Sequence, residues 1–220
     1  MARNRNNEFA VIGLGRFGSS LARTLVARGA TVLGVDRSPE IVRQIADELT
    51  QTVVADSTSE EALLEIDIKS FPTVIVAIGS NFEANLLTTV ALREIGVREI
   101  ICKALTTRQR DILLRVGATR VILPEHEAGQ RLAVELTTPG MIGQIDLGTG
   151  YAVTEIHTPP GLVDTQLGRS ELRKNGLNVL AIKRGDRLIV SPAPDTVLRA
   201  DDLLVVLGTT KDIERCTHLE

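Results

Sequence analysis

The feature that most constrains this chain is a glycine-rich turn that follows a short apolar segment near the start. Phe9-Ala10-Val11-Ile12 predicts a buried strand, and Gly13-Leu14-Gly15-Arg16-Phe17-Gly18 follows it directly. The G-x-G-x-x-G spacing is typical of the phosphate-binding turn of a Rossmann unit. There the first glycine permits a tight bend, the second lets the backbone approach a pyrophosphate, and the third lets the helix pack on the strand. Many dehydrogenases share this pattern, so the rest of the chain must indicate what the turn serves.

Strand-like apolar runs alternate with helix-like segments through the first 140 residues. Helical periodicity is clear where Phe17, Leu21 and Leu25 recur every four residues. The predicted strands lie at 9–12, 31–35, 52–55, 74–78, 100–102 and 121–123. This alternation predicts an α/β domain over residues 1–140, a six-stranded doubly wound parallel sheet with helices on both faces.

The pattern changes after residue 140. We expect a linker or crossover at 141–150 and a small domain over 151–220. Strand-like runs at 151–156, 177–183, 187–190 and 202–207 there lack long intervening helices, with a short helix expected at 167–174. Gly185-Asp186 is typical of a hairpin turn. Strands that follow one another predict an α+β lobe with antiparallel pairing.

Composition and charge exclude several classes of function. The chain has 25 Lys and Arg against 28 Asp and Glu, no Trp and one Tyr. The chain therefore has no excess of cations to neutralise nucleic-acid phosphates and few aromatic side chains to stack on bases, so we expect no nucleic-acid partner. The polar start predicts no secretory signal, and no run approaches the ~18 apolar residues of a membrane span, so we expect a cytoplasmic protein. Cys102 and Cys216 are expected to be reduced small hydrophobes.

Asp36 ends the second predicted strand at the interval where a Rossmann carboxylate holds ribose hydroxyls. The alternative is that Asp36, with Ser38-Pro39, merely caps the next helix. Its place at a strand end favours the ribose role. Gly79 follows the fourth strand, which flanks the point where strand order reverses, so we expect it to face the Gly13 turn. An ordinary loop explains Gly79-Ser80-Asn81 equally well.

Three charged residues lie where ligands collect in such sheets. Arg16 stands within the glycine turn, and its forked cation suits a triphosphate. Lys103 and Glu125 stand at the ends of later strands, where a lysine could meet phosphate and a carboxylate could hold Mg²⁺. A solvated charge on the outer face of the helix explains Arg16 equally well, and a solvated strand-end charge explains Lys103 and Glu125, taken singly, better than a ligand contact does.

The sequence offers no catalytic apparatus beside the turn. A nicotinamide-dependent dehydrogenase needs a proton donor, but His126, His157 and His218 stand in no recognisable catalytic pattern. No nucleophile elbow, zinc cluster or P-loop is present. We therefore predict a protein that is not an enzyme, with an NAD(P)-dependent oxidoreductase as the alternative.

Nearly the whole chain resembles the cytoplasmic RCK (KTN) regulatory subunits of bacterial potassium transporters of the Ktr type. The resemblance is carried by residues 9–18, Val35-Asp36, residues 74–79, Leu180-Ala181-Ile182-Lys183 and residues 188–194. The glycine turn alone is general, but its combination with the Ser-Pro-Ala-Pro turn of the small domain is specific.

The resemblance implies a site for ATP and ADP in the first domain. Arg16 would reach the ATP γ-phosphate, Asp36 would hold ribose, Lys103 would meet phosphate, and Glu125 would hold Mg²⁺ or another divalent cation. NAD(H) is a possible competitor. The candidate residues are Gly13, Gly15, Arg16, Phe17, Gly18, Asp36, Arg37, Asp56, Ser57, Ala77, Ile78, Gly79, Lys103 and Glu125.

The resemblance also implies an assembly. Dimers would form an octameric ring, peripheral to the inner face of the plasma membrane, beneath a membrane-embedded Ktr or Trk potassium channel subunit, and exchange of ATP for ADP would change the ring's shape. Related small domains dimerise and bind cyclic di-AMP. The residues that would form that pocket are Leu172, Arg173, Asn175 and Pro192.

Overall fold

The computed structural model describes residues 7–137 and 141–217. It divides into two compact units, Met1–His126 and Glu127–Glu220. The boundary expected at residue 140 and His218 lie outside the described residues. Within the described ranges, no helix has both the length and the apolar character that a membrane crossing requires.

The first unit contains a six-stranded sheet in which every pairing is parallel. Its strands are β1 (Glu8–Ile12), β2 (Thr31–Asp36), β3 (Gln51–Val54), β4 (Thr73–Val76), β5 (Glu99–Lys103) and β6 (Arg120–Ile122). The strand order is β3-β2-β1-β4-β5-β6, so the direction of winding reverses between β1 and β4. The predicted doubly wound sheet is confirmed, and ligands bind such sheets at this reversal.

Helices cover both faces of the sheet because successive strand residues point to opposite sides. Ala10 and Ile12 join one core cluster, while Val11 between them joins the other. The helices of this unit are α1 (Arg16–Ala27), α2 (Pro39–Ile45), α3 (Glu60–Glu65), α4 (Phe82–Ile95) and α5 (Thr107–Val116), while α6 (Pro124–Thr137) belongs for most of its length to the second unit. Apolar residues on both faces of the strands are therefore covered by helices, which gives a three-layered domain.

The second unit contains a five-stranded sheet of order β10-β9-β11-β8-β7, with every pairing antiparallel. Its elements are β7 (Met141–Gly148), β8 (Tyr151–His157), β9 (Asn178–Arg184), β10 (Arg187–Val190), β11 (Leu203–Thr209) and α7 (Thr210–Thr217). One face packs into a core that includes Ile156, Ile182 and Leu204. The predicted α+β lobe is confirmed.

Two segments differ from the sequence expectation. Met141–Gly148, expected as a linker, is a strand paired with β8 through a hairpin in which Gly148, Thr149 and Gly150 all have positive φ. The helix expected over 167–174 is reduced to one 3₁₀ turn at Leu167–Arg169. Glu171 takes a φ of 57°, a left-handed conformation that an α-helix cannot continue through.

Candidate functional site

The three glycines of the turn occupy three different environments. Gly13 has a φ of 91°, and a Cβ there would lie 3.1 Å from the backbone nitrogen of Ile78. At Gly18 a Cβ would fall inside the carbonyl oxygen of Gly13, at 1.9 Å. At Gly15 nothing lies within 4 Å of that position. The turn therefore packs tightly at Gly13 and Gly18 and leaves open space at Gly15, where a pyrophosphate would approach.

Helix α1 differs from its neighbours at its N-terminus. Side-chain oxygens of Ser38, Ser59, Asn81 and Thr106 accept hydrogen bonds from the first turns of α2 to α5. At α1 the N-cap is Gly15, and among the described residues no side chain caps it. The first N–H groups of a helix need acceptors and carry the positive end of its dipole. The start of α1 is consequently suited to a phosphate.

A cavity of about 510 Å³ opens at the reversal point between β1 and β4. It is lined by the loops that follow β1 to β4, which places the carboxyl ends of four strands around one space. The predicted site residues among its lining are Gly13, Gly15, Asp36, Arg37, Asp56, Ser57, Ala77, Ile78 and Gly79. Gly79 lies across the cavity from the glycine turn, as the topology predicts.

Asp36 connects the glycine turn to the end of β2. Its Oδ2 accepts from the backbone N–H of Leu14 at 2.7 Å, and its Oδ1 accepts from that of Ser38 at 2.9 Å. The helix cap itself is Ser38, whose Oγ accepts from the backbone of Ile41. Asp36 therefore does not cap α2, and its carboxylate lies at the cavity wall where a ribose hydroxyl can donate to it.

The loop after β3 supplies a second carboxylate. Asp56 accepts from the hydroxyl of Thr58 at 2.7 Å and from its backbone N–H at 3.0 Å. These bonds, with the nearby Arg37, hold the pKa of Asp56 below its usual range. Ser57 is buried, and its hydroxyl is 2.9 Å from that of Thr88 on α4. This wall is therefore fixed before any ligand binds.

Four predicted residues that do not line the cavity form a cluster beside it: the charged residues Arg16, Lys103 and Glu125, and the aromatic residue Phe17. Lys103 Nζ donates to Glu125 Oε1 at 2.6 Å and lies 5.6 Å from the centre of the Phe17 ring. A Cβ on Gly79 would lie 3.2 Å from the same Nζ, so Lys103 adjoins the cavity rim. The bond from Lys103 lowers the pKa of Glu125, and the charge of Arg16 lowers it further. Gly18, the fifth predicted residue outside the lining, is buried beneath the turn.

Metal-ligand chemistry is limited around this cluster. No group of three or more His, Cys, Asp and Glu suited to a metal ion occurs in the described part of the chain. Glu125, with its side chain 61% exposed, can supply one hard oxygen ligand. A divalent cation there would need its other ligands from elsewhere, such as phosphate oxygens.

Several cavity residues were not among the predicted site. Some directly follow a strand, so their position at the sheet edge was the available signal; Ile41, Glu83, Ala84 and Leu87 come from helices and required the tertiary structure. The additional lining residues are Ile12, Ser38, Ile41, Ala55, Thr58, Ser80, Asn81, Glu83, Ala84 and Leu87. Asn81 also caps α4, so the Gly79 loop both lines the cavity and begins a helix.

The second unit contains its own cavity, of about 840 Å³. Leu172, Arg173 and Pro192 line it as predicted, together with Arg169 and Lys174. Asn175 is not part of the lining; its backbone N–H donates to the carbonyls of Glu171 and Leu172 in the preceding turn. The cavity combines apolar walls with three cationic side chains and the carboxylate of Glu171, to which Lys174 donates at 2.8 Å.

A Rossmann-type unit with a glycine-rich turn, followed by a small antiparallel lobe, is the domain arrangement of the RCK class. The TrkA-N domain family matches residues 9–124, and the TrkA-C domain family matches residues 153–219. The Ktr system potassium uptake protein A of Bacillus subtilis (strain 168) is 39% identical over 98% of this chain and 97% of its own length. The protein of the same name from Vibrio alginolyticus is 35% identical over 92% and 93%. The chain therefore belongs to the family of Ktr potassium uptake proteins, as a regulatory RCK subunit.

Solved structures agree with this fold. The GsuK RCK domain matches with a TM-score of 0.71 and 20% identity, over 96% of this chain and 48% of its own. GsuK bound to NAD matches with a TM-score of 0.53 at 24% identity, over 97% and 38%. GsuK bound to ADP has a TM-score of 0.53 at 16% identity, over 60% and 35%. The Ktr relatives are named as potassium uptake proteins rather than enzymes, which confirms the prediction of a non-enzymatic protein.

Proposed function

We propose that this chain senses adenine nucleotides in the crevice between β1 and β4 and thereby regulates a membrane potassium transporter. The observation that carries the proposal is the arrangement along the crevice. Carboxylates of Asp36 and Asp56 lie on one wall, the uncapped start of α1 lies at the glycine turn, and Lys103 adjoins the rim. Ribose donates to carboxylates and polyphosphate requires cations and N–H donors, so a nucleotide matches this order.

Within this proposal each part of the nucleotide is assigned to the residues whose chemistry suits it. Asp36 accepts from the ribose hydroxyls, with Arg37, Asp56 and Ser57 beside the nucleoside. Gly13, Gly15 and the first turn of α1 receive the inner phosphates. Arg16 and Lys103 meet the outer phosphates.

A sensor must distinguish ATP from ADP by a contact that only one of them makes. A ligand shifts a conformational equilibrium only by its differential affinity for the two states. Arg16 is exposed at the start of α1, and its charge reaches Glu125. It is therefore the proposed contact for the γ-phosphate, which ADP lacks.

A divalent cation such as Mg²⁺ forms part of the proposal. Glu125 supplies one oxygen ligand, and the phosphates supply others, since hard cations prefer oxygen. Lys103 donates a hydrogen bond to that carboxylate. The cation would neutralise phosphate charge beside Glu125.

Titration calorimetry of the full chain with ATP, ADP and NADH, with and without Mg²⁺, tests the proposal. Arg16→Ala should weaken ATP binding about tenfold more than ADP binding, the effect of one charge-assisted contact. Arg28→Ala removes an equal charge at the other end of α1 and should change neither affinity. Equal loss of both nucleotides in Arg16→Ala would remove the γ-phosphate role, and absence of nucleotide binding would overturn the function.

NAD(H) is the second ligand class for the same crevice. GsuK has been solved with NAD and with ADP, so this fold accepts both kinds of ligand in that protein. Tighter binding of NADH than of ATP would redirect the proposal from phosphate number to redox state.

We propose cyclic di-AMP as a further ligand, bound in the cavity of the second unit. Arg169, Arg173 and Lys174 can meet its phosphates, and Leu172 and Pro192 can contact its bases. A titration with cyclic di-AMP that shows no binding would remove this part of the proposal.

We also propose that the chain works as an octameric ring of dimers at the cytoplasmic face of the membrane, bound to a Ktr or Trk potassium channel subunit. The support is membership of the Ktr family and the fold shared with the GsuK channel. Light scattering of the purified protein tests the octamer, and a mass below eight chains would contradict it.

A further inference from the structure

Helix α4 carries polar side chains on the face that it buries against the sheet. Asn85, Thr88 and Thr89 are 1%, 0% and 0% exposed. Their spacing of three and four residues places them on one side of the helix. A helix packed on a sheet ordinarily buries apolar side chains on that face. Because buried polar side chains need hydrogen-bond partners, the partners of these three residues indicate what the polar face does.

Each of these side chains bonds to the carboxyl end of a strand or to the loop that follows it. Thr88 is 2.9 Å from the hydroxyl of Ser57, which follows β3. Thr89 is 3.2 Å from the sulfur of Cys102 in β5. Asn85 Nδ2 donates to the carbonyl of Ile78 at 2.8 Å and to that of Lys103 at 2.9 Å. Both amide hydrogens of Asn85 are thereby used.

The two bonds of Asn85 join β4 and β5 where their own pairing has ended. The parallel register between these strands stops at Val76 opposite Cys102. Ile78 and Lys103 lie beyond that pair, at the crevice. The backbone of Lys103 is paired with Ile122 of β6, and the bonds of Asn85 tie this paired backbone to the segment that leads into Gly79.

We infer that Asn85 is a positioning residue for recognition of the outer phosphates. It is not part of the lining of the crevice cavity, but it ties the Lys103 backbone to the Ile78-Gly79 segment. The Lys103 ammonium is in turn directed along Phe17 to Glu125 and the rim beside Gly79. Because a charged contact depends steeply on distance, a small shift of this backbone weakens contact with outer phosphates. This inference rests on the proposed nucleotide function.

The test compares ATP with AMP on the full chain. Asn85→Leu removes both donors at similar volume, and Asn85→Ser retains a smaller donor should the first variant fail to fold. We expect Asn85→Leu to lower ATP affinity about tenfold and AMP affinity less than about threefold, with a smaller selective loss in Asn85→Ser. AMP lacks the outer phosphates that Lys103 would meet.

Thr88→Val is the matched control. It removes a buried hydroxyl from the same helix face, and Thr88 bonds to Ser57 rather than to Asn85 or to the Ile78 or Lys103 carbonyl, so its ATP to AMP ratio should match the wild type. Equal losses for ATP and AMP in the Asn85 variants, or no loss, would overturn the positioning role while leaving the nucleotide function intact. A wild-type protein that binds neither nucleotide would overturn both.

Discussion

At the scale of single residues, the glycine turn separates packing from ligand approach. Gly18 has no room for a side chain because the carbonyl of Gly13 occupies the position of its Cβ. Gly15 faces open space and begins α1 without a side-chain cap. The same chemical change at these two positions should therefore have opposite consequences for stability and binding.

Gly18→Ala is expected to lower the free energy of unfolding by about 3 kcal/mol or more, because the added methyl group must displace backbone. Gly15→Ala should cost less than about 1 kcal/mol, the range for an N-cap change. It should nevertheless weaken ATP binding at least about tenfold, since the methyl group stands where phosphate approaches. Urea unfolding and calorimetry measure the two effects. Normal ATP binding by Gly15→Ala would place the phosphates elsewhere.

At the scale of elements, one buried ion pair joins strands of the second unit. Asp202, which directly precedes β11, is 0% exposed and receives two bonds at 2.7 Å from Arg184 of β9. Arg184 also donates to the carbonyl of Val197, and Asp202 accepts from the backbone of Arg199. The bond from Arg184 outweighs burial and lowers the pKa of Asp202. The pair thus ties β9 to the turn that leads into β11.

Arg184→Ala should lower the free energy of unfolding at pH 7 by about 3 kcal/mol, because it leaves a buried carboxylate without its partner. The lowered pKa of Asp202 contributes stability that is fully present above the ordinary carboxyl pKa and is lost as pH falls through the native value. The difference from wild type should therefore shrink below about pH 4. Urea unfolding at several pH values measures it.

The exposed pair of Arg23 and Glu48 provides the control for this prediction. Its side chains are 47% and 45% exposed, so Arg23→Ala should lower the free energy of unfolding far less than Arg184→Ala does. Equal costs for the buried and the exposed pair would show that burial does not determine the effect.

At the scale of the whole molecule, each unit contains a core and a cavity of its own. The proposed regulator would bind nucleotide and cation at the cavity of the first unit and cyclic di-AMP in the cavity of the second unit. Ligand-dependent control of transport then depends on the assembly with the membrane subunit, which must be present in the measurement.

Glu125→Gln should reduce the dependence of potassium flux on divalent cation, since it removes the charged oxygen proposed to bind the ion. Flux is measured in vesicles that contain the chain and its membrane subunit, with ATP present and Mg²⁺ varied. Glu61→Gln, an equal change at an exposed site on α3, should behave as wild type. An unchanged Mg²⁺ dependence in Glu125→Gln would argue against a cation at this carboxylate.

The amino-acid sequence by itself determined the sheet, the glycine turn and the antiparallel lobe. These features depend on local patterns: a continuous apolar run in β1, apolar residues every four positions along α1, and glycine at the turn. Local pattern also indicated Asp36, because it directly follows a buried run. The hairpin from Gly148 to Gly150 does not follow from its glycines alone. Glycines indicate a turn, but the segment before the turn forms a strand only where another strand pairs with it, and that pairing depends on the tertiary structure.

Only the tertiary structure decided which distant groups meet. Asn85 reaches Lys103 across 18 residues and Ser57 meets Thr88 across 31. Lys103 contacts Glu125 and Phe17 rather than solvent, and Asn175 bonds through its backbone to its own turn and is not part of the cavity lining. Such contacts follow from strand order and from how each helix lies on the sheet. They are not encoded in the spacing of neighbouring residues, because the chain brings these groups together only when the whole sheet has formed.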